Sequence, residues 1–169
     1  MVFAWNECDT KKALVSALVP AGVGAFTAYN VMKDKNVMDF LLSGCECKCA
    51  PKDPCVYTAV DILALSPVGY AAYMVFRNGG GFEYNDTKLA MALYGGTLLA
   101  WLSAIPVCKK KDRKCLLVNS VITHLLAAGT AYTFYQIDKT AGKLCIPLVV
   151  LSGIYTLMSY GGYKKFKTN

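Results

Sequence analysis

Cysteine is the most reactive residue type in this 169-residue chain, and four of the eight crowd into one stretch, Cys45-Glu-Cys47-Lys-Cys49 followed by Cys55. Thiolates this dense could take Zn or Cu(I), or do redox work. The alternate-residue spacing is not the wider spacing of a structural zinc site, and no histidine is near in sequence. A merely cysteine-rich loop is therefore the favoured reading. The only histidine, His124, and the carboxylate Asp61 each interrupt a long apolar run. His124 could ligate a haem iron, but a neutral imidazole hydrogen-bonded between helices is the plainer role. Asp61 falls in the first turn of its predicted helix, where the positive end of the dipole suits a carboxylate. Capping and pocket chemistry both fit it. The chain shows no Ser-His-Asp order and no paired carboxylates, and Gly79-Gly80-Gly81 lacks the lysine of a phosphate loop. It reads as a binding protein rather than an enzyme, with no obligatory cofactor.

The elements that must position these residues follow from composition. Hydrophobic residues make up 55% of the chain and charged residues only 17%, with 14 Gly, 11 Tyr and 7 Phe. Disordered and fibrous classes are excluded, because they are poor in apolar residues or built on Gly and Pro repeats. A net charge of +7 could point to nucleic acid. A nucleic-acid binder, however, spreads its basic residues along one face, and here they gather in short clusters between apolar runs. Crossing about 30 Å of hydrocarbon takes roughly 20 apolar residues in a helix. Five segments qualify, over residues 13–32, 58–76, 89–108, 115–137 and 144–163. In lipid every backbone donor needs an internal partner, so all five are read as helices. The predicted fold class is an all-α integral membrane bundle of five transmembrane helices, one domain over residues 1–169.

Small residues punctuate the spans, and they let helices approach closely where lipid removes the hydrophobic drive. Ala21xxxAla25 and Gly24xxxAla28 are compatible with a dimer face. Pro20, Pro67, Pro106 and Pro147 are expected to kink helices within or near the ends of spans. The first apolar run is too long for a signal-peptide core and lacks a small-residue cleavage pattern, so it is expected to stay as a membrane helix.

Five spans put the termini on opposite sides. Side one, with the N-terminus and the 77–88 and 138–143 loops, carries six basic residues. Side two, with the 33–57 and 109–114 loops and the C-terminal tail, carries twelve. The positive-inside rule puts side two in the cytosol, although Lys11-Lys12 argues the other way. Most thiols then face a reducing compartment, where disulfides are not expected.

From Gly69-Tyr-Ala-Ala-Tyr-Met-Val-Phe-Arg-Asn-Gly-Gly-Gly-Phe82 the chain resembles the second-span signature of the TspO/MBR family. The resemblance continues through Leu93-Tyr94-xx-Thr-Leu98. It is strongest from Phe134-Tyr135-Gln136 through Ala141-Gly-Lys-Leu144 and Pro147 to Ser159-Tyr160. It covers about the last 110 residues well, and the first 60 only through Leu18-Val-Pro20 and the loop prolines Pro51 and Pro54. The resemblance implies a five-helix bundle, usually a homodimer, with a pocket opening toward the cytosol under the first long loop. It implies a sterol, porphyrin (haem included) or benzodiazepine-type ligand, and in animals the mitochondrial outer membrane. By resemblance the pocket set is Tyr57, Asp61, Trp101, Cys115, Asn119 and Tyr155. The sterol pattern is Leu157-x₂-Tyr160-x₃-Lys164, an aliphatic surface with a phenol and an ammonium at the interface; those same residues also anchor any span. The chain departs from the family at four places. Asp61 replaces the tryptophan tied to porphyrin breakdown, and Ala104-Ile105-Pro106 replaces Trp-Pro-Pro. Asn119 replaces an aspartate, and Cys115 a tryptophan. The alternative function is a small membrane transporter or a thiol- and metal-handling membrane protein built on the Cys45–Cys55 loop.

Overall fold

Asp112 and Asp138 each start a helix in the computed structural model of the protein, which describes residues 7–43 and 54–168. The Asp112 carboxylate accepts the backbone N–H groups of Lys114 (2.9 Å) and Cys115 (3.4 Å). That of Asp138 accepts those of Thr140 (2.7 Å) and Ala141 (3.1 Å). Such caps satisfy donors that a first helical turn leaves without partners. Gly80 and Gly81 turn the chain elsewhere, with φ of 77° and 71°, a left-handed conformation that side chains resist.

In chain order the helices are α1 (Glu7–Lys33), α2 (Lys35–Ser43), α3 (Pro54–Asn78), α4 (Asn85–Lys109), α5 (Arg113–Ile137), α6 (Lys139–Leu144) and α7 (Ile146–Thr168). A 3₁₀ turn, Gly81–Glu83, precedes α4, and no strand occurs among the described residues. Five stretches are long and apolar enough to cross a membrane: α1, α3, α4, α5 and α6 running into α7. The fold is all-α, as the hydropathy pattern predicts.

Several local expectations need correction. The 138–143 segment is not a loop but the capped helix α6, followed by a break at Cys145. The 33–57 segment contains α2, an amphipathic helix whose Val37 is 1% exposed against Cys108 and Leu116. α3 begins at Pro54, so Asp61 lies two turns inside the helix and caps nothing. Pro20, Pro67 and Pro106 do lie within spans, in α1, α3 and α4, as expected. Pro147 is the second residue of α7, where a missing N–H costs little.

α3 is the most buried span and the centre of the core. Leu65, Val68, Ala71, Ala72 and Val75 meet Phe134 of α5 and Leu148 of α7. Small residues set the spacing. A Cβ on Gly69 would run into the Ser16 carbonyl and the Ala17 backbone of α1, and Ser16 Oγ donates to the Gly69 carbonyl at 2.8 Å. A Cβ on Gly24 would stand 2.7 Å from a Leu65 methyl. Gly24 and Ala28 are thus buried inside the protomer, which removes Gly24xxxAla28 from any dimer face. Outward, Leu14, Leu18, Leu63, Leu99, Leu125 and Leu157 are each more than half exposed, the surface a helix bundle offers to lipid.

Candidate ligand-binding cavity

The side-two ends of α1, α3, α4, α5 and α7 do not close on one another. Between them, under Leu41 of α2, lies a cavity of about 210 Å³. Its wall is largely apolar: Ala28, Val31, Leu41, Trp101, Ala104, Cys108, Leu116 and Met158. Polar groups reach it from Thr27, Tyr57, Asp61, Arg113 and Asn119, and from the Ser and Thr side chains of α5 and α7.

Asp61 defines its floor. The residue is 7% exposed, and Tyr155 Oη donates to its Oδ1 at 2.7 Å. The Tyr155 ring lies 6.0 Å from that of Trp101, tilted by 49°. One carboxylate and two aromatic rings therefore bring α3, α7 and α4 together. Gly24 matters here: its missing side chain lets α1 lie against Asp61 and Leu65. Asn119 turns its amide toward α4, accepting from Ser103 Oγ at 2.7 Å. At the mouth, Arg113 donates to the Phe40 carbonyl at 2.7 Å, with its guanidinium carbon 3.9 Å from the centre of the Phe40 ring. That contact ties α5 to α2.

Of the residues singled out in the sequence, Tyr57, Asp61, Trp101, Asn119 and Tyr155 line this one cavity. Cys115 does not. It is exposed, and its thiol donates to Asp112 Oδ2 at 3.1 Å. That bond, with the Lys114 N–H, holds the Asp112 carboxyl below the usual carboxylate range. A helix brings positions 100° apart to different faces, so a position aligned in sequence to a pocket residue can still point away. Leu157 and Tyr160 are 72% and 54% exposed on the outer face of α7, and Lys164 is exposed a turn further on. They form a lipid-facing surface separate from the cavity. His124 does not line the cavity either; its Nδ1 is hydrogen-bonded to Ser152 Oγ at 3.0 Å, joining α5 to α7. Cys45, Cys47 and Cys49 lie outside the described residues. Among the described residues no three metal-ligating side chains converge.

Sequence reasoning missed Thr27, Leu41, Arg113, Thr123 and Met158. A signal for part of this was present. Leu116, Asn119, Ser120 and Thr123 recur at three- and four-residue spacing, as do Ser152, Tyr155 and Ser159, and polar stripes on membrane helices face the bundle interior. Arg113 carried no such signal, because it sits in a run of basic loop residues.

Comparison with known proteins places the chain among relatives. Residues 16–164 match the TspO/MBR family, so the likeness takes in most of the first helix as well as the later spans. The chain is similar to a translocator protein of Sus scrofa, 29% identical over 96 residues. It is also similar to a translocator protein of Bos taurus (27% over 96 residues) and to translocator protein 2 of Mus musculus (26% over 107 residues). The Sus scrofa and Bos taurus matches each cover 56% of this chain and 56% of the relative; the Mus musculus match covers 62% and 65%. The chain thus spans little more than half the length of the first two relatives it matches. No solved structure matches the chain.

Proposed function

The chain belongs to the TspO/MBR family, and from that premise we propose that it is a membrane receptor and translocator for a hydrophobic ligand. The observation that carries this is the cavity between the side-two ends of the spans, apolar in its walls and polar at Asp61. Buried apolar pockets with a few convergent polar groups are the usual form of small-molecule sites. The ligand classes are a sterol, a porphyrin or haem, or a benzodiazepine-type compound. A tetrapyrrole or drug takes the cavity, and a sterol takes the outer face of α7. There Leu157 supplies aliphatic contact, Tyr160 bonds the sterol hydroxyl, and Lys164 snorkels to water. Side two faces the cytosol, the protein forms a homodimer, and in a eukaryote it resides in the mitochondrial outer membrane.

A binding screen on purified protein tests this. Cholesterol and protoporphyrin should each bind saturably. Tyr160→Ser should weaken cholesterol by about tenfold through lost ring packing and one hydrogen bond, leaving protoporphyrin unaffected. Trp101→Ala should do the reverse. Cholesterol affinity unchanged by both Tyr160→Ser and Lys164→Ala would reduce the α7 pattern to an interfacial anchor. Cysteine labelling from outside the organelle checks orientation: Cys45, Cys47 and Cys49 should react in intact membranes, and protection of all three would reverse it.

A further inference from the structure

Asp61 is an unusual group to find in a cavity wall. Within a membrane bundle a carboxylate is costly unless another charge or several donors compensate it. Among the described residues, the one hydrogen bond it accepts comes from the Tyr155 hydroxyl, and the one salt bridge, Arg77 with Asp9, is at the far end of α3. A phenol compensates one carboxylate oxygen, and no cation among the described residues pairs with the charge. Arg113, the cation that also reaches this cavity, is held at the mouth by the Phe40 carbonyl and ring. The rest of the floor is aromatic, with Trp101, Tyr155 and Tyr57 in the wall, and ring faces attract cations most strongly where water is scarce.

The complement to a buried carboxylate in a cavity that Tyr57, Trp101 and Tyr155 also line is a protonated amine. A ligand hydroxyl would add one hydrogen bond and no charge, whereas an ammonium group adds a hydrogen bond and the opposite charge together. The apolar wall suits an aliphatic or aromatic body behind that head. We propose that Asp61, Tyr155 and Trp101 form a head-group site for a lipophilic ammonium ion, so that the cavity selects amines over neutral and anionic molecules of the same shape. This rests on the reading of the cavity as a ligand pocket. Asp61 is the specificity-determining residue; Tyr155 positions its carboxylate.

The test uses the full chain in nanodiscs of zwitterionic phosphatidylcholine at neutral pH, with calorimetric titration of three molecules that share one apolar cage: adamantylmethylamine, adamantylmethanol and adamantanecarboxylate. The amine should bind about tenfold or more tighter than the alcohol, and the carboxylate weakest, as expected for a desolvated charge pair with ring contacts. Asp61→Asn keeps an acceptor for the Tyr155 hydroxyl and should bring the amine down to near the alcohol's affinity, weakening the alcohol far less than the amine. Trp101→Leu should weaken the amine more than the alcohol. Should Asp61→Asn fail to fold, the amine-to-alcohol ratio in the parent and in Trp101→Leu decides. Equal amine and alcohol affinity in the parent, or a preference for the carboxylate, overturns the ammonium site while leaving the receptor reading intact. No binding of all three cages, with cholesterol and protoporphyrin also failing to bind, overturns the receptor reading itself.

Discussion

The two ends of this bundle are built from the same five chain segments and reach opposite outcomes. At the side-one end the helices close. Arg77 of α3 pairs with Asp9 of α1 at 3.1 Å, and Tyr73 Oη donates to the same carboxylate at 2.7 Å. Thr87 Oγ1 donates to the Gly79 carbonyl at 2.8 Å, and Asn78 bonds the Asp138 cap at 2.7 Å. Phe134, Ala141, Cys145 and Val75 fill what remains, each with no exposed surface. At the side-two end Asp61 meets a single phenol and Arg113 the Phe40 carbonyl and ring, and the amphipathic α2 packs against Cys108 and Leu116 through Val37. The difference is one of side-chain size. Where the contact residues are small, as at Ala141 and Gly142, the helices approach; where Tyr57, Trp101 and Tyr155 face inward, a cavity remains.

The largest expected effect breaks the closed end. A Cβ on Gly142 would run into the backbone of Tyr135, with no flexible side chain to yield. Gly142→Leu should cost about 3 kcal/mol or more, the upper range for overpacking, and cooperative thermal unfolding in detergent should be lost. Unchanged melting would show that α6 is not part of the closed end.

Arg77→Ala should come next. Both partners of its ion pair are under one-fifth exposed, so the loss should lie between the surface and buried limits, about 2 kcal/mol. The melting temperature should fall while ligand affinity in the cavity stays the same. A loss of affinity would mean that the two ends are coupled.

At the open end Val37→Asp should act locally. Placing a carboxylate in the contact of α2 with Cys108 and Leu116 should unseat α2 without unfolding the spans. Local opening of this kind exposes groups in proportion to the open population. Alkylation of Cys108, buried in the native protein, should accelerate by about tenfold, while Cys145 at the closed end stays protected. Equal acceleration of both thiols would show a global loosening instead.

Thr97→Val should be the mildest change. Thr97 and Thr130 share a buried hydrogen bond of 3.1 Å between α4 and α5, and such bonds in membrane bundles contribute about 0.6 kcal/mol. Melting should shift slightly and binding not at all.

Much of this was legible residue by residue. Uninterrupted apolar runs such as Leu144–Tyr163 fixed the spans, because hydrocarbon admits no unsatisfied backbone. Asp61 stood out because a lone carboxylate in such a run is costly. The helices α2 and α6 were not legible: Lys35–Ser43 and Lys139–Leu144 are too short to show a clear period against polar neighbours. Nor was the orientation of Cys115. The resemblance put it in the pocket, yet it is exposed on α5.

By itself the sequence determined the solvent of this protein, the number and order of its spans, and the few groups that must find partners inside it. Those properties are local, set by hydropathy over about twenty residues. The tertiary structure decided which groups met. It put Tyr155 against Asp61 across 94 positions of sequence, turned Asn119 inward and Cys115 outward, and separated Tyr160 from the cavity. Such pairings depend on helix rotation and crossing, and a rotation of one residue's angle moves a side chain to another face at no cost that hydropathy records.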